Sequence, residues 1–372
     1  MTFDHEKLIE PIAAVAAANA ASVDAGQFPT ETMRALGEAG LLGLISAAEV
    51  GGRGLGLPAA AAVVERLARE CGSTAMVLCM HYCATAVIEE LGPRDVRTAI
   101  AAGKHLTTLA LSEVGSRSQF WVPMSTATLD GNDVILTARK SFATSAHNAD
   151  SYVWSSKPMT GGELSTLWLV PRTTAGVRVA EAGFDGLGLR GNDSTAITAE
   201  NARIPATARL GEDGGGFGIM MGTVLPWFNV LASSVSIGLM EAAVERTCAH
   251  AAGTKLQHAG TAIAELPTVR AYIARMRIKT DQNKALLADT LAAITGKRAD
   301  TLVRVLESKA SAGEAAAEVT DLAMRVCGGV AFRKEVGVER IFRDARAAQV
   351  MSPTTDILYD FLGKAVCGLP LF

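Results

Sequence analysis

The sequence predicts an α+β protein in which a helical domain, a β-domain and a second helical domain follow one another, over 1–106, 107–213 and 214–372. Apolar residues recur at spacings of three and four up to about residue 105. Short runs of β-forming residues with alternating polarity follow, and the helical spacing returns from about residue 216. Because helices and strands are segregated along the chain, the pattern indicates separate helical and β layers and not alternating βα units.

Four segments carry the helical spacing in the first domain, at 8–21, 30–44, 58–72 and 73–92. They are rich in Ala and poor in aromatic residues, a composition that favours closely packed helices. Between the second and third lies EVGGRGLGL at 49–57, whose glycine spacing is similar to that of a dinucleotide-binding loop. No β-branched strand precedes it, so we interpret it as a connector.

The second domain contains about seven predicted strands, within 105–113, 125–145, 150–158, 165–173, 176–183 and 195–205. Turn sequences such as DGND at 130–133 and TTAG at 173–176 separate them. Short strands at this spacing are typical of a small β-barrel or sandwich.

Long helices are predicted in the third domain around 229–251, 268–294 and 299–327. The stretch 214–240 contains no charged residue and is long enough to span a bilayer. It also contains Pro226 and Asn229 and has no basic flank. We therefore expect a buried helix of a helical bundle and no membrane span.

Composition excludes several function classes. With 49% hydrophobic and 20% charged residues the chain is not disordered, and a net charge of −3 gives no basic surface for nucleic acid. The six cysteines form no C-x-x-C pair and the six histidines no H-x-x-x-H, so we expect reduced core thiols and no metal site. The first residues lack a basic segment, so we expect no signal peptide and a cytoplasmic protein.

Seven short motifs occur in a fixed order: ALSEVGSRS at 110–118, KSFATS at 140–145, GLRGNDST at 188–195, ARIP at 202–205, LGEDGGGFG at 210–218, CGG at 327–329 and ERIFRDAR at 339–346. Their order and spacing resemble the acyl-CoA dehydrogenase family of flavoproteins over essentially the whole chain. The resemblance implies an N-terminal helical domain, a central β-barrel or sandwich and a C-terminal four-helix bundle.

The resemblance also implies FAD, with FMN as the alternative, between the β-domain and the C-terminal bundle. Residues matching the family's motifs would then hold the flavin. Leu111 and Ser112 would lie at its pyrimidine edge, Phe142 would pack on the ring, Thr144 would bond near N5, and Ser118 would reach the pyrophosphate. Further positions expected to touch a cofactor, in part that of a neighbouring subunit, are Lys255, Arg325, Gly328, Gly329 and Thr354.

The sequence departs from the family at the catalytic base. Family members usually remove the α-proton of an acyl thioester with a glutamate, because a desolvated carboxylate matches the acidity of the activated thioester. Ser352 stands at its usual position, and Phe228 stands at the alternative position early in the C-terminal domain, followed by Asn229 in place of an arginine. Asp356 is a candidate replacement, although a helix cap or cofactor contact is the alternative interpretation. His147 is a further candidate, with a surface loop histidine as the alternative.

The substrate pocket is expected to be apolar and to include Met80, His81, Trp227, Phe228, Asn229 and Met351, although each could instead belong to the core. Three functions follow from the resemblance: oxidation of an acyl thioester at Cα–Cβ with a non-standard or missing base, monooxygenase or redox-neutral lyase chemistry, or flavin or acyl binding without turnover. The implied partners are an electron-transfer flavoprotein or a flavin reductase, in a homotetramer or homodimer.

Overall fold

A computed structural model describes residues 4–117, 119–161 and 164–371. The chain begins with five helices: α1 (His5–Asp24), α2 (Thr30–Glu38), α3 (Leu57–Ala68), α4 (Gly72–Leu91) and α5 (Arg94–Ala101). The four predicted helical segments are confirmed, but α2 ends six residues earlier than its pattern. The reason is Gly40, whose φ of 72° ends the helix in a left-handed turn. The glycine-rich segment after it is a connector, as predicted.

Helix α4 is the central helix of this domain. Sixteen of its twenty residues are buried, since it packs against α3 and against the C-terminal domain and the first strand. A helix that is apolar on every face must be covered on every side. Its position between the domains brings Met76 and Met80 to the candidate site described below.

The β-domain consists of two four-stranded sheets that share one core. The first sheet has the order β1 (Thr107–Ala110), β4 (Ser151–Ser156), β5 (Thr166–Pro171) and β8 (Arg209–Leu210). The second has the order β2 (Thr126–Asp130), β3 (Asp133–Ala143), β7 (Thr195–Pro205) and β6 (Val177–Val179). Side chains of both sheets, among them Trp154, Trp168, Leu136 and Ile197, form the core between them. The seven predicted strands are confirmed, and the two-residue β8 is additional.

The C-terminal domain is a bundle built on three long helices. After α6 (Gly216–Ile219) and one π-helical turn (Met220–Val224), helix α7 (Leu225–Gly253) packs against α8 (Pro267–Thr295) and α9 (Thr301–Cys327). A short hairpin of β9 (Lys255–Leu256) and β10 (Thr261–Ala262) joins α7 to α8. The chain closes with α10 (Val338–Ala345), α11 (Ala347–Val350) and α12 (Thr355–Val366), and α12 packs on α9. The fold is therefore that of a helical domain, a β-sandwich and a helical bundle.

Two helical stretches, Gly72–Leu91 and Gly216–Gly253, are long and apolar enough to cross a bilayer. In each, most of the apolar window is buried inside the protein, 78% and 83%. The uncharged stretch at 214–240 is thus mostly a core helix of the bundle, as its polar interruptions predict.

Candidate active site

A cavity of about 650 Å³ lies where the three domains meet. Its apolar wall comes from α4, from the start of α7 and from the segment after α11, and includes Met76, Met80, Val224, Phe228 and Met351. Its more polar wall comes from the β-domain and includes Ser112, Ser141, Thr144, Asn192 and Ser194. The cavity therefore offers an apolar chamber beside a row of hydroxyl groups.

Two loops of the β-domain hold these hydroxyls. The Thr144 and Ser194 hydroxyl oxygens lie 3.0 Å apart, and the backbone N–H of Ser194 donates to the Asn192 side-chain oxygen. Next to them, the Ser141 N–H donates to the carbonyl of Ser112 at 2.9 Å. Leu111 and Ser112, predicted to line the cofactor site, both line the cavity, as does Thr144.

Phe142 reaches the cavity because β3 is irregular at its end. The register of β3 with β7 shifts between Lys140 and Ala143, and Phe142 has a φ of 52°. A bulge of this kind turns a side chain out of the alternating pattern. The ring of Phe142 is consequently 73% exposed along the cavity wall, where it can pack on a planar heterocycle.

Glu113 lines the cavity but is fully engaged elsewhere. One of its carboxylate oxygens accepts from the Lys140 ammonium at 2.6 Å, and the other accepts from the N–H groups of Met124 and Ser125. Lys140 also donates to the carbonyl and hydroxyl of Ser155. Burial lowers the pKa of Lys140 to about 8, and the charge of Glu113 opposes that shift. The pair fastens the loop before β2 to β3, and neither group was predicted to contribute to the site.

The segment that carries Met351 and Ser352 is held by a second buried lysine. Lys309 of α9 donates to the carbonyls of Ala348, Met351 and Pro353 at 3.3, 3.0 and 2.7 Å. Lys309 was not predicted as a site residue, although a lysine on the buried stripe of α9 beside Leu306 and Ala310 is unusual enough to indicate a specific role. Through Lys309, α9 fixes the backbone on both sides of Ser352.

The Arg-Asp-Ala motif fixes another wall. Arg343 forms a two-bond ion pair with Asp24 of α1, at 2.7 and 2.8 Å, and also bonds Glu339. The adjacent Asp344 accepts from the N–H of Leu189 at 2.6 Å, and Leu189 lines the cavity. Burial raises the pKa of Asp344 to about 6. One motif on α10 therefore joins the N-terminal domain, the β-domain and the bundle.

Three of the expected pocket residues do not line the cavity, and their contact with a substrate stays a prediction. Trp227 is half-buried on α7 outside the lining, and Asn229 is buried between α7 and α9, where its amide donates to the carbonyl of Val305. His81 is fully buried, with Nε2 3.1 Å from the carbonyl of Leu42 and Nδ1 accepting from the N–H of Thr107. Burial lowers the pKa of His81 to about 4. Helical periodicity predicts which face of a helix is buried. It does not predict whether that face lines a cavity or packs on another helix or strand.

The two positions expected for the base, Ser352 and Phe228, both line the cavity. Asp356 does not line it and is exposed in the first turn of α12, so its role as a replacement base stays a prediction. Thr354 is the N-cap of the same helix, accepting from the N–H of Ile357, and also lies outside the lining. Among the described residues that line the cavity, Glu113 is the single carboxylate.

The remaining predicted residues lie elsewhere. Lys255 is exposed on the β9–β10 hairpin, and Arg325 lies at the end of α9 over the ring of Tyr272. Gly328 and Gly329 follow directly and are exposed. All four are outside the cavity, and their contact with a neighbouring subunit's cofactor stays a prediction. Ser118 lies outside the described residues.

His147 is exposed and paired with Asp193, its Nδ1 lying 2.7 Å from the carboxylate. Asp193 also accepts from the backbone N–H of His147 and from the Asn148 amide. The pair ties together the two loops that carry Thr144 and Ser194, but neither member lines the cavity.

Comparison with known proteins agrees with this architecture. Three consecutive sequence profiles match: the N-terminal domain of acyl-CoA dehydrogenase at residues 5–119, the middle domain at 108–202 and the C-terminal domain at 214–367. The chain is 28% identical to the mitochondrial short-chain specific acyl-CoA dehydrogenase of Bos taurus, over 89% of this chain and 81% of that protein.

Solved structures show the same fold. Butyryl-CoA dehydrogenase from Megasphaera elsdenii superposes with a TM-score of 0.90 at 20% identity, over 98% of both chains. The FAD complex of PigA superposes with a TM-score of 0.88 at 21% identity, over 98% of this chain and 97% of that one. The chain belongs to the acyl-CoA dehydrogenase family of flavin-dependent oxidoreductases.

Proposed function

We propose that this protein uses FAD to oxidise the acyl group of a thioester at Cα–Cβ, with a non-standard base or none. The observation that carries the proposal is the apolar chamber that lies directly beside Phe142 and the hydroxyl row. An acyl chain fits the methionine-rich wall, because thioether and aromatic side chains adapt to apolar ligands of varied shape.

The β-domain wall suits a flavin. Phe142 offers an exposed ring for stacking, and the hydroxyls of Ser112, Thr144 and Ser194 offer donors and acceptors for the edge of a heterocycle. A bound flavin would supply the acceptor for the hydride that leaves Cβ, and without a carboxylate base the α-proton would pass to water. We infer FAD and not FMN from the family, with the PigA complex as a structural relative that holds FAD.

The residues at the reacting end cannot act as ordinary bases. A serine hydroxyl is too weak a base at neutral pH without a partner base, and Phe228 has no titratable group. Glu113 cannot act as a free carboxylate because Lys140 and two amides hold both of its oxygens.

A second candidate is oxygenase or redox-neutral lyase chemistry on an apolar substrate. The lack of an unengaged carboxylate among the described cavity residues favours it, because such reactions do not begin with removal of an α-proton. Exclusion of water by the methionine-rich wall would serve that chemistry equally well.

We infer the assembly and partners from the family. Four of the residues predicted to touch a cofactor are exposed at one end of the bundle: Lys255, Arg325, Gly328 and Gly329. Their exposure suits a homodimer or homotetramer whose subunits share cofactor contacts. An electron-transfer flavoprotein is the expected electron acceptor for the first candidate, and a flavin reductase the expected donor for an oxygenase. A cytoplasmic location accords with the reduced cysteines.

The test is anaerobic titration of the purified flavoprotein with short, branched and long acyl-CoA thioesters. Bleaching of the flavin absorbance by one of them, with the matching enoyl product, supports dehydrogenation. If none bleaches the flavin, dehydrogenation is excluded. Product formation and oxygen uptake by the chemically reduced protein would then support an oxygenase, and turnover without a net redox change a lyase.

A further inference from the structure

The charge on the cavity wall is unbalanced. Two of the lining residues are charged, Glu113 and Arg117. The charge of Glu113 is compensated by Lys140, with which it forms a buried ion pair. Arg117 is exposed on the cavity wall and forms no ion pair or hydrogen bond with another described residue. A cation without a counter-ion among the described residues therefore remains on the wall of a largely apolar cavity.

The loop that carries Arg117 is anchored on its N-terminal side. The N–H and hydroxyl of Ser116 both bond to the carbonyl of Glu113, whose side chain is fastened to β3. Arg117 itself has a φ of 48°, a left-handed conformation that is unfavourable for a residue with a side chain. The guanidinium of Arg117 therefore extends from a turn whose backbone conformation is restricted.

We propose that Arg117 binds a phosphate or diphosphate group of a ligand that occupies this cavity. The planar guanidinium makes paired hydrogen bonds to phosphate oxygens, and a partly enclosed apolar surrounding strengthens them. Two ligands of the proposed function carry such a group: the diphosphate of the cofactor and the phosphate-bearing carrier of the acyl thioester. The identity of these two ligands rests on the proposed function, whereas the choice of Arg117 rests on the geometry of the cavity.

The experiment compares the flavoprotein with the variants Arg117→Met and Arg117→Lys. Arg139→Met is the matched control, because Arg139 is an exposed arginine of β3 outside the cavity lining. One arm measures dissociation constants of CoA and of pantetheine, which lacks the phosphates, by perturbation of the flavin spectrum. The other arm measures the dissociation constant of FAD by recovery of flavin fluorescence on dilution.

Loss of a charge-assisted phosphate contact is expected to weaken binding by about tenfold in Arg117→Met, with partial recovery in Arg117→Lys. A fall in CoA affinity with unchanged pantetheine affinity assigns the contact to the substrate carrier. A fall in FAD affinity assigns it to the cofactor. If Arg117→Met matches Arg139→Met in both arms, the inference is overturned. Both arms measure binding alone, so a protein that oxidises no thioester would refute the proposed function and leave this result intact.

Discussion

At the residue scale, the reaction depends on which side chains face the apolar chamber. Ser352 and Phe228, the two positions expected for a base, both face it. The backbone around Ser352 is held by Lys309, so the position itself is well defined even though its side chain is a hydroxyl. The backbone at a position expected for the base is thus fixed, and its side chain is not a carboxylate.

Replacing Ser352 by glutamate tests this directly. We expect Ser352→Glu to bleach the flavin with an acyl-CoA at least about tenfold faster than the wild type, because a positioned general base contributes about 10²-fold or more. Ser352→Gln is the control, being equal in size and without a carboxylate. Equal rates for the two variants would show that the chemistry is not limited by a base at this position.

His81 predicts a pH dependence of stability. Its Nδ1 accepts from Thr107, so a second ring proton would face an N–H donor in the core. The pKa of the folded state is lowered to about 4, so stability that is present above pH 6.5 is lost as pH falls towards 4. The loss should reach about 3 kcal/mol. The control is His81→Gln, whose side chain does not titrate. The free energy of unfolding in urea should fall more steeply for the wild type than for this variant between pH 6.5 and 4. The same pH dependence in both proteins would contradict the assignment to His81.

At the element scale, the cavity wall depends on a loop and a strand that are fastened together. The loop after β1 carries Ser112 and Arg117, and the ion pair of Glu113 with Lys140 joins it to β3. Lys140 also lies 5.0 Å from the centre of the Trp154 ring, in the core of the sandwich. The loop that carries Ser112 is therefore fixed to the core of the β-domain through the buried pair of Glu113 and Lys140.

Removing one partner of the Glu113–Lys140 pair should lower the free energy of unfolding. Lys140→Met leaves the Glu113 carboxylate buried without a cation, and we expect a loss of about 3–5 kcal/mol in the free energy of unfolding. The double variant Lys140→Met with Glu113→Gln removes both charges and should recover part of that loss. Urea unfolding measures the loss in stability, and flavin retention shows whether the site is preserved. If Lys140→Met is as stable as the double variant, the buried ion pair is refuted as the cause.

At the scale of the whole molecule, the site exists because three domains meet. Helix α4 supplies Met76 and Met80, the sandwich supplies the hydroxyls, and the bundle supplies Phe228, Met351 and Ser352. Arg343 and Asp344 on α10 bind the other two domains at this junction. Disturbing that junction should open the cavity without unfolding any one domain.

Arg343→Met tests the junction. The variant loses the paired bonds to Asp24, which is largely buried, and we expect a loss of about 2–3 kcal/mol in the free energy of unfolding. The control is Arg333→Met, whose ion pair with Glu335 is exposed and should contribute less than about 1 kcal/mol. Proteolysis should also become faster between the domains. If both variants behave alike, the pair of Arg343 with Asp24 does not hold the domains together.

The order of helices and strands could be predicted from local sequence, because periodicities of 3.6 and 2 are imposed by the backbone itself. The motifs identified the family, and with it Leu111, Ser112, Thr144 and Ser352 as cavity residues. The partners of buried groups could not be predicted. Asn229, His81 and Trp227 share helical faces with true lining residues, and their exclusion depends on which helix or strand covers them.

The sequence alone therefore determined the elements, the family and the residue types at the two positions expected for a base, since these are properties of residue type and spacing. Only the tertiary structure decided that Glu113 is engaged by Lys140, that Lys309 fixes Ser352, and that Arg117 lines the cavity without a partner among the described residues. The physical reason is that charge compensation and burial are set by groups distant in sequence, which approach only when the three domains pack together.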